Sequence, residues 1–251
     1  MEFGIVFGIT LGQFILLAVA AIIIGFGKTG ITGASLPAVA MVANVFGGKL
    51  SSGIMLSALI IADIPAVYHY RKHGKLEDVF KLIWPAVIGI VMGAIIGNYL
   101  NDRQFKLLMG ITVLVCIALL LYREVSKKDL PVPKGKWFPA LVGIIAGFTS
   151  MVGNAAGPVM SVYLLSLSFE RQRFLGTAAW FFFFINLIKL PFHVFMWGTV
   201  SLTTLKYTLT MIPFIFVGAW LGVYFIKRIN EKVFKWLVII ATFIAALRLL
   251  M

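Results

Sequence analysis

Charge is scarce in this chain. Only 12% of its 251 residues are charged, and nine of those are acidic. One cysteine, Cys116, and three histidines make a thin stock of nucleophilic and metal-binding side chains. A lone cysteine excludes an intrachain disulfide and a cysteine-ligated metal centre. No GxSxG elbow, HExxH pair or Walker loop occurs. The string GFGKT at 25–29 has the lysine and threonine of a phosphate loop but lacks the glycine five residues before its GKT. The residue inventory therefore points away from an enzyme and implies no metal and no cofactor.

What is present is apolar. Hydrophobic residues make up 61% of the chain and the mean hydropathy is +1.02. Soluble domains carry far more charge and less apolar sequence, so the chain reads as an all-α, polytopic membrane protein. The net charge of +13 does not mark a nucleic-acid binder, because the positive residues sit in short loops between apolar runs. The N-terminus has Glu2 and no basic stretch, so no cleavable signal peptide is expected.

Two interruptions organise the apolar sequence. Residues 25–37 read GFGKTGITGASLP, and residues 153–158 read GNAAGP. Glycine weakens helices and proline cannot donate a backbone hydrogen bond. At membrane depth such a break has to be buried in protein or line a watery cavity. Matched breaks, one per half, point to a transporter's binding site.

In chain order, an apolar run at 3–24 precedes the first break and a short piece at 34–46 follows it. Spans are expected at 51–70, 82–99 and 105–122. A basic, proline-containing linker occupies 123–136. The second half has 137–152, its break, a short piece to 169, and spans at 174–197, 207–226 and 233–251. The division is a first membrane repeat at 1–122, the linker at 123–136 and a second repeat at 137–251. Asn101–Lys106 resembles Asn230–Lys235, and Gly93-Ala94-x-x-Gly97 matches Gly218-Ala219-x-x-Gly222. These matches, in the same order, indicate duplication.

Lysine and arginine sort by side. Fifteen fall on the loops at 71–81, 123–136, 171–173 and 227–235, five on the opposite side, and Lys28 and Lys189 at membrane depth. The rich side is expected in the cytoplasm, with both termini outside. Each half then has an odd number of elements, which makes the repeat inverted: a broken helix pair followed by three transmembrane helices, twice over.

The breaks supply the first candidate ligands: Thr29, Gly30 and Gly33 in one, Asn154, Ala155, Ala156 and Gly157 in the other. A helix that begins at such a point has backbone N–H groups without partners and a positive dipole end, which suit an anion. Pro158 fits a first helical turn. Ionisable groups inside the membrane usually face a cavity or a partner. Lys28 and Lys189 could attract an anion, with Asn186 one turn before Lys189 adding a neutral donor. Asp63 either pairs with Lys28 or Lys189, or carries a proton. His193, beside Pro191, is a weaker candidate for proton transfer. Thr177 and Trp180 are further candidates for lining the path. His69 and His73 read as interfacial, and Phe181–Phe184 as a stripe facing lipid or core.

The segments KTGITGASLPAVAMVANVF and SSGIMLSALIIADIPAVYHYRKHG resemble the first half of the sulfite exporter TauE/SafE family. NAAGPVMSVYLL, GTAAWFFFFINLIKLPF and GAWLG resemble its second half. The usual triple glycine of the breaks is here Gly30-Ile31-Thr32-Gly33 and Asn154-Ala155-Ala156-Gly157. The resemblance implies export of sulfite or a small organosulfonate across a bacterial inner membrane. The partners expected are a small anion and the lipid bilayer, with self-association into a homo-oligomer left open.

Overall fold

The computed structural model describes residues 8–29, 34–126, 135, 137–167, 169–225 and 231–250. Among them are ten α-helices and no β-strand. In the first half these are α1 (Leu11–Thr29), α2 (Leu36–Phe46), α3 (Gly48–Tyr70), α4 (Leu76–Tyr99) and α5 (Asp102–Ser126). In the second they are α6 (Trp137–Gly153), α7 (Ala156–Ser166), α8 (Arg171–Pro191), α9 (Leu202–Phe225) and α10 (Glu231–Leu250). Among the described residues, five helices are long and apolar enough to cross a membrane: α1, α3, α4, α8 with its extension to Met196, and α9.

Most expected elements are present with moved ends. The first break is shorter than expected at its start, because α1 continues through Gly25, Gly27 and Lys28 to Thr29. Glycine there serves close packing, since a Cβ on Gly25 would fall on the Ile215 carbonyl of α9. Gly30 and Gly33 lie outside the described residues, as does most of the 123–136 linker. The short piece after the break is an eleven-residue helix, α2, with Pro37 in its first turn. Gly47 joins α2 to α3 at φ +90°, a conformation open to glycine. Asp102 then accepts from the Lys49 N–H at the start of α3. The span expected at 174–197 is α8 followed by a five-residue π-helical turn, Phe192–Met196.

The helices pack across the halves. α1 lies along α9, and α4 along α6. Both pairs are parallel: Gly218 meets Ile22 and Gly222 meets Phe26, while Gly143 meets Leu82 and Gly147 meets Ala86. α3 and α8 run antiparallel through the middle, with Gly74 against Gly176 at one end and Gly53 against Thr199 at the other. α2 rests on α10 and α7 on α5. Two buried cores result. One is built chiefly from α1, α2, α3 and α9, the other from α4, α6, α7 and α8. Large apolar side chains such as Ile15, Trp84, Ile88, Trp220 and Ile244 point outward, as a surface solvated by lipid tails requires.

Candidate anion site between the broken helices

Asp63 sits on α3 and is fully buried. The ammonium of Lys28, at the end of α1, lies 2.6 Å from its Oδ1. Asn186 on α8 donates its Nδ2–H to Asp63 Oδ2 at 2.7 Å. The carboxylate therefore ties together three helices. Of the two partners open to Asp63 by sequence, it takes Lys28. The Lys28 ammonium also lies 4.5 Å from the centre of the Phe182 ring, a cation–π contact.

Lys189 is fully buried in a different setting. It donates to the Ser150 carbonyl at 3.0 Å, to Ser150 Oγ at 3.0 Å and to Asn154 Oδ1 at 2.7 Å. All three acceptors belong to the end of α6 and the break after it. Asn154 has φ +49°, the one positive value at a non-glycine among the described residues. Its Nδ2 donates to the Ser52 carbonyl at 3.4 Å, so both ends of its amide are taken by the protein. The next residue is held as well: Ala155 N–H donates to the Thr149 carbonyl, and its own carbonyl accepts from the Cys116 thiol at 3.2 Å. α7 starts immediately after, at Ala156.

Between these two constructions lies a cavity of about 40 Å³. A water needs ~10–15 Å³ on this measure, so about three waters, or one small oxyanion, fit. Its polar wall comes from Lys28, Ser35, Ser150, Asn154 and Asn186, together with the first turn of α7 at Ala156 and Gly157. Its apolar wall comes from Leu59 on α3 and Leu175, Ala178, Ala179 and Phe182 on α8. Helix α7 is long enough for its unpaired first N–H groups to carry a partial positive charge. Pro158 in that turn has no N–H to orphan. A side-chain cation and a helix N-terminus thus face one small space, which is an arrangement for a negative charge.

The expected site residues divide into those at the cavity and those away from it. Lys28, Asn154, Ala156, Gly157 and Asn186 line it. Thr29 turns away, donating to the Gly25 and Ala219 carbonyls and pinning α1 to α9. Ala155 is buried behind the break. Lys189 stands behind Ser150 and Asn154. His193 lies one turn further on, its Nδ1 paired with Thr199 Oγ1 at 2.8 Å and its ring edge-on to Trp197. Thr177 is fully buried, and Trp180 stacks on Phe184.

Among the polar and aromatic lining residues, three escaped the sequence reading as ligands: Ser35, Ser150 and Phe182. Gly27, Leu59, Leu175, Ala178 and Ala179 complete the wall and carried no signal beyond small or apolar character. Ser35 and Ser150 are small hydroxyl residues next to the breaks, and that proximity was the available signal. Phe182 was hidden within a run of four phenylalanines.

Comparison with curated proteins gave no match, and neither did comparison with solved structures. One family model does match. It is described as sulfite exporter TauE/SafE and covers residues 4–249. Taken with the apolar helices and the anion-suited cavity, that coverage places the chain in the sulfite exporter TauE/SafE family of membrane transporters.

Proposed function

We propose that this protein is a secondary transporter that exports a small sulfur oxyanion, sulfite or a short organosulfonate, across the bacterial inner membrane. The observation that carries the reading is the cavity in which Lys28 faces the N-terminus of α7. The anion accepts from the Lys28 ammonium and from the first N–H groups of α7, around Ala156 and Gly157. Ser35, Ser150 and Asn186 are the neutral polar groups beside it.

The crossed pairing of the helices supports an inverted repeat. Exchanging the halves turns the α1–α9 pair into α6–α4, and α2–α10 into α7–α5, while α3–α8 maps onto itself. α1, α3 and α9 run one way and α4, α6 and α8 the other, the relation expected of halves inserted in opposite senses. An inside-negative potential drives an anion outward by ~2.3 kcal/mol per charge per 100 mV, so export needs no coupling ion.

The test is flux from proteoliposomes loaded with sulfite, sulfoacetate, sulfate or chloride. Saturable sulfite or sulfoacetate flux supports the reading. Unsaturable chloride conductance would replace it with an anion channel. In the same assay Gly157→Val is expected to lower sulfite flux at least tenfold at equal insertion, because the added side chain occupies the space beside the α7 N-terminus. Undiminished flux in that variant would remove the α7 N-terminus from the site.

The basic loops give an orientation. In a Cys116→Ala background, Lys72→Cys on the α3–α4 turn is expected to resist an impermeant maleimide in intact cells, while Arg103→Cys at the start of α5 reacts. The reverse pattern would put the basic loops outside.

A further inference from the structure

Asp63 and Lys189 occupy corresponding places. Each stands two residues before a proline inside or at the end of its helix, Pro65 in α3 and Pro191 in α8. They lie 126 residues apart, close to the 125 that separate Gly93 from Gly218. Each reaches the C-terminal end of the first helix of its own half. Asp63 meets Lys28 on α1, and Lys189 meets Ser150 and Asn154 at the end of α6. The device is the same and the chemistry differs: an ion pair in one half, an oxygen cage in the other.

We infer that Lys189 is a positioning residue for the anion site, not a ligand of the anion. This rests on the function proposed above. Its three N–H donors all go to protein oxygens. One of them holds Asn154 Oδ1, at the residue whose backbone is in the left-handed region. That conformation sets the direction in which the chain leaves α6, and α7 begins two residues later. Asparagine tolerates the left-handed region better than most residues but does not prefer it as glycine does. The grip of Lys189 and the Ser52 carbonyl on its amide supplies the difference. Lys189 thereby aims the N–H groups of Ala156 and Gly157 at the cavity.

The consequence is an unusual coupling. If Lys189 acts only through the backbone of residue 154, it becomes dispensable once that residue adopts the conformation unaided. Lys189→Met is expected to raise the apparent KM for sulfite about tenfold in the otherwise unaltered protein. Introduced into an Asn154→Gly background, the same change is expected to alter KM less than threefold.

The buried thiol of Cys116 gives a readout that needs no substrate. It is bonded to the Ala155 carbonyl, so its rate of reaction with N-ethylmaleimide reports the geometry of the break. Lys189→Met should speed that reaction about tenfold, and Asn154→Gly should remove the acceleration. A Lys189→Met penalty in KM and thiol reactivity that is as large with Asn154→Gly as without it would overturn the inference. So would a Lys189→Met variant with normal KM and normal thiol reactivity. Asn154→Gly also removes the acceptor that Lys189→Met leaves unpaired, so melting temperatures are measured alongside. KM and thiol rates that merely follow melting temperature across the four variants would also overturn the inference. If no variant, including the parent, transports or binds sulfite, the proposed function fails, while the thiol rates still decide the role of Lys189.

Discussion

Lys28→Gln is expected to weaken anion binding at least a hundredfold, about 2.8 kcal/mol at 1.4 kcal/mol per tenfold. Lys28 is the cation that faces the cavity, and its side chain keeps 11% of its surface exposed there. The single change also strands Asp63, which is fully buried. Breaking a buried pair by removing one partner costs ~3–5 kcal/mol, because the remaining charge is left uncompensated. The variant will therefore melt early, and its weak binding alone would prove little. The double change Lys28→Gln with Asp63→Asn separates the two effects. It removes the stranded charge, and Asn186 can still donate to the new amide oxygen. The expected result is a melting temperature restored to within a few degrees of the parent in detergent, with anion binding still lost in titration calorimetry. Recovery of binding together with stability would show that Lys28 serves only as the partner of Asp63, and the site would then rest on α7 alone.

The largest expected effect on the fold is at Gly147 in α6. A Cβ there would fall on the Ala86 carbonyl of α4, and the nearest atoms are backbone that cannot swing aside. Gly147→Val has to push apart two parallel helices that touch from Gly143 to Met151 on α6. Overpacking usually costs ~1–3 kcal/mol, and values above 4 belong to such unrelieved cases. Gly147→Val should yield little folded protein in detergent by size-exclusion chromatography. Gly153 ends the same helix but meets only ordinary contacts at 3.6 Å and beyond. Gly153→Ala should fold normally and gain up to ~1 kcal/mol from the stiffer helix. Equal behaviour of the two variants would mean that the α4–α6 seam yields more readily than its backbone contacts indicate.

The spans and the two breaks were legible in the sequence because apolar runs and helix-breaking residues act locally. Their limits were not, because glycine has two uses in a membrane helix. Gly25 and Gly27 read as breakers, yet both lie inside α1 and let α9 and the segment around Ser35 come close. Which use applies depends on what packs there, and for Gly25 that is Ile215 in the other half of the chain. The site was legible as a list but not as an arrangement. Lys28 and Lys189 looked alike, two cations at membrane depth. The fold gives one a carboxylate and the cavity, and the other a cage of neutral oxygens. Thr29 looked like a lining residue because it adjoins Lys28, but a helix turns by about 100° per residue and carries it round to α9. The repeat of Asp63-Ile-Pro65 as Lys189-Leu-Pro191 was present in the sequence. The opposite charges concealed it.

The crossed pairing of helices also sets an order of events during synthesis. α4 finds α6 soon after the linker is made, since their contacting glycines and carbonyls are about sixty residues apart. α1 has to wait for α9. The bond from Thr29 to the Ala219 carbonyl closes over 190 residues. At ~5–20 residues per second that is roughly 10–40 seconds of translation, during which the face of α1 that seats α9 lacks its partner. Of these four helices α1 is made earliest, yet it is seated only with the latest, α9. The cavity is lined from α1, α3, α6, α7 and α8 and by Ser35, all made before α9; what α9 adds is the seat of α1, through Gly25 and Thr29.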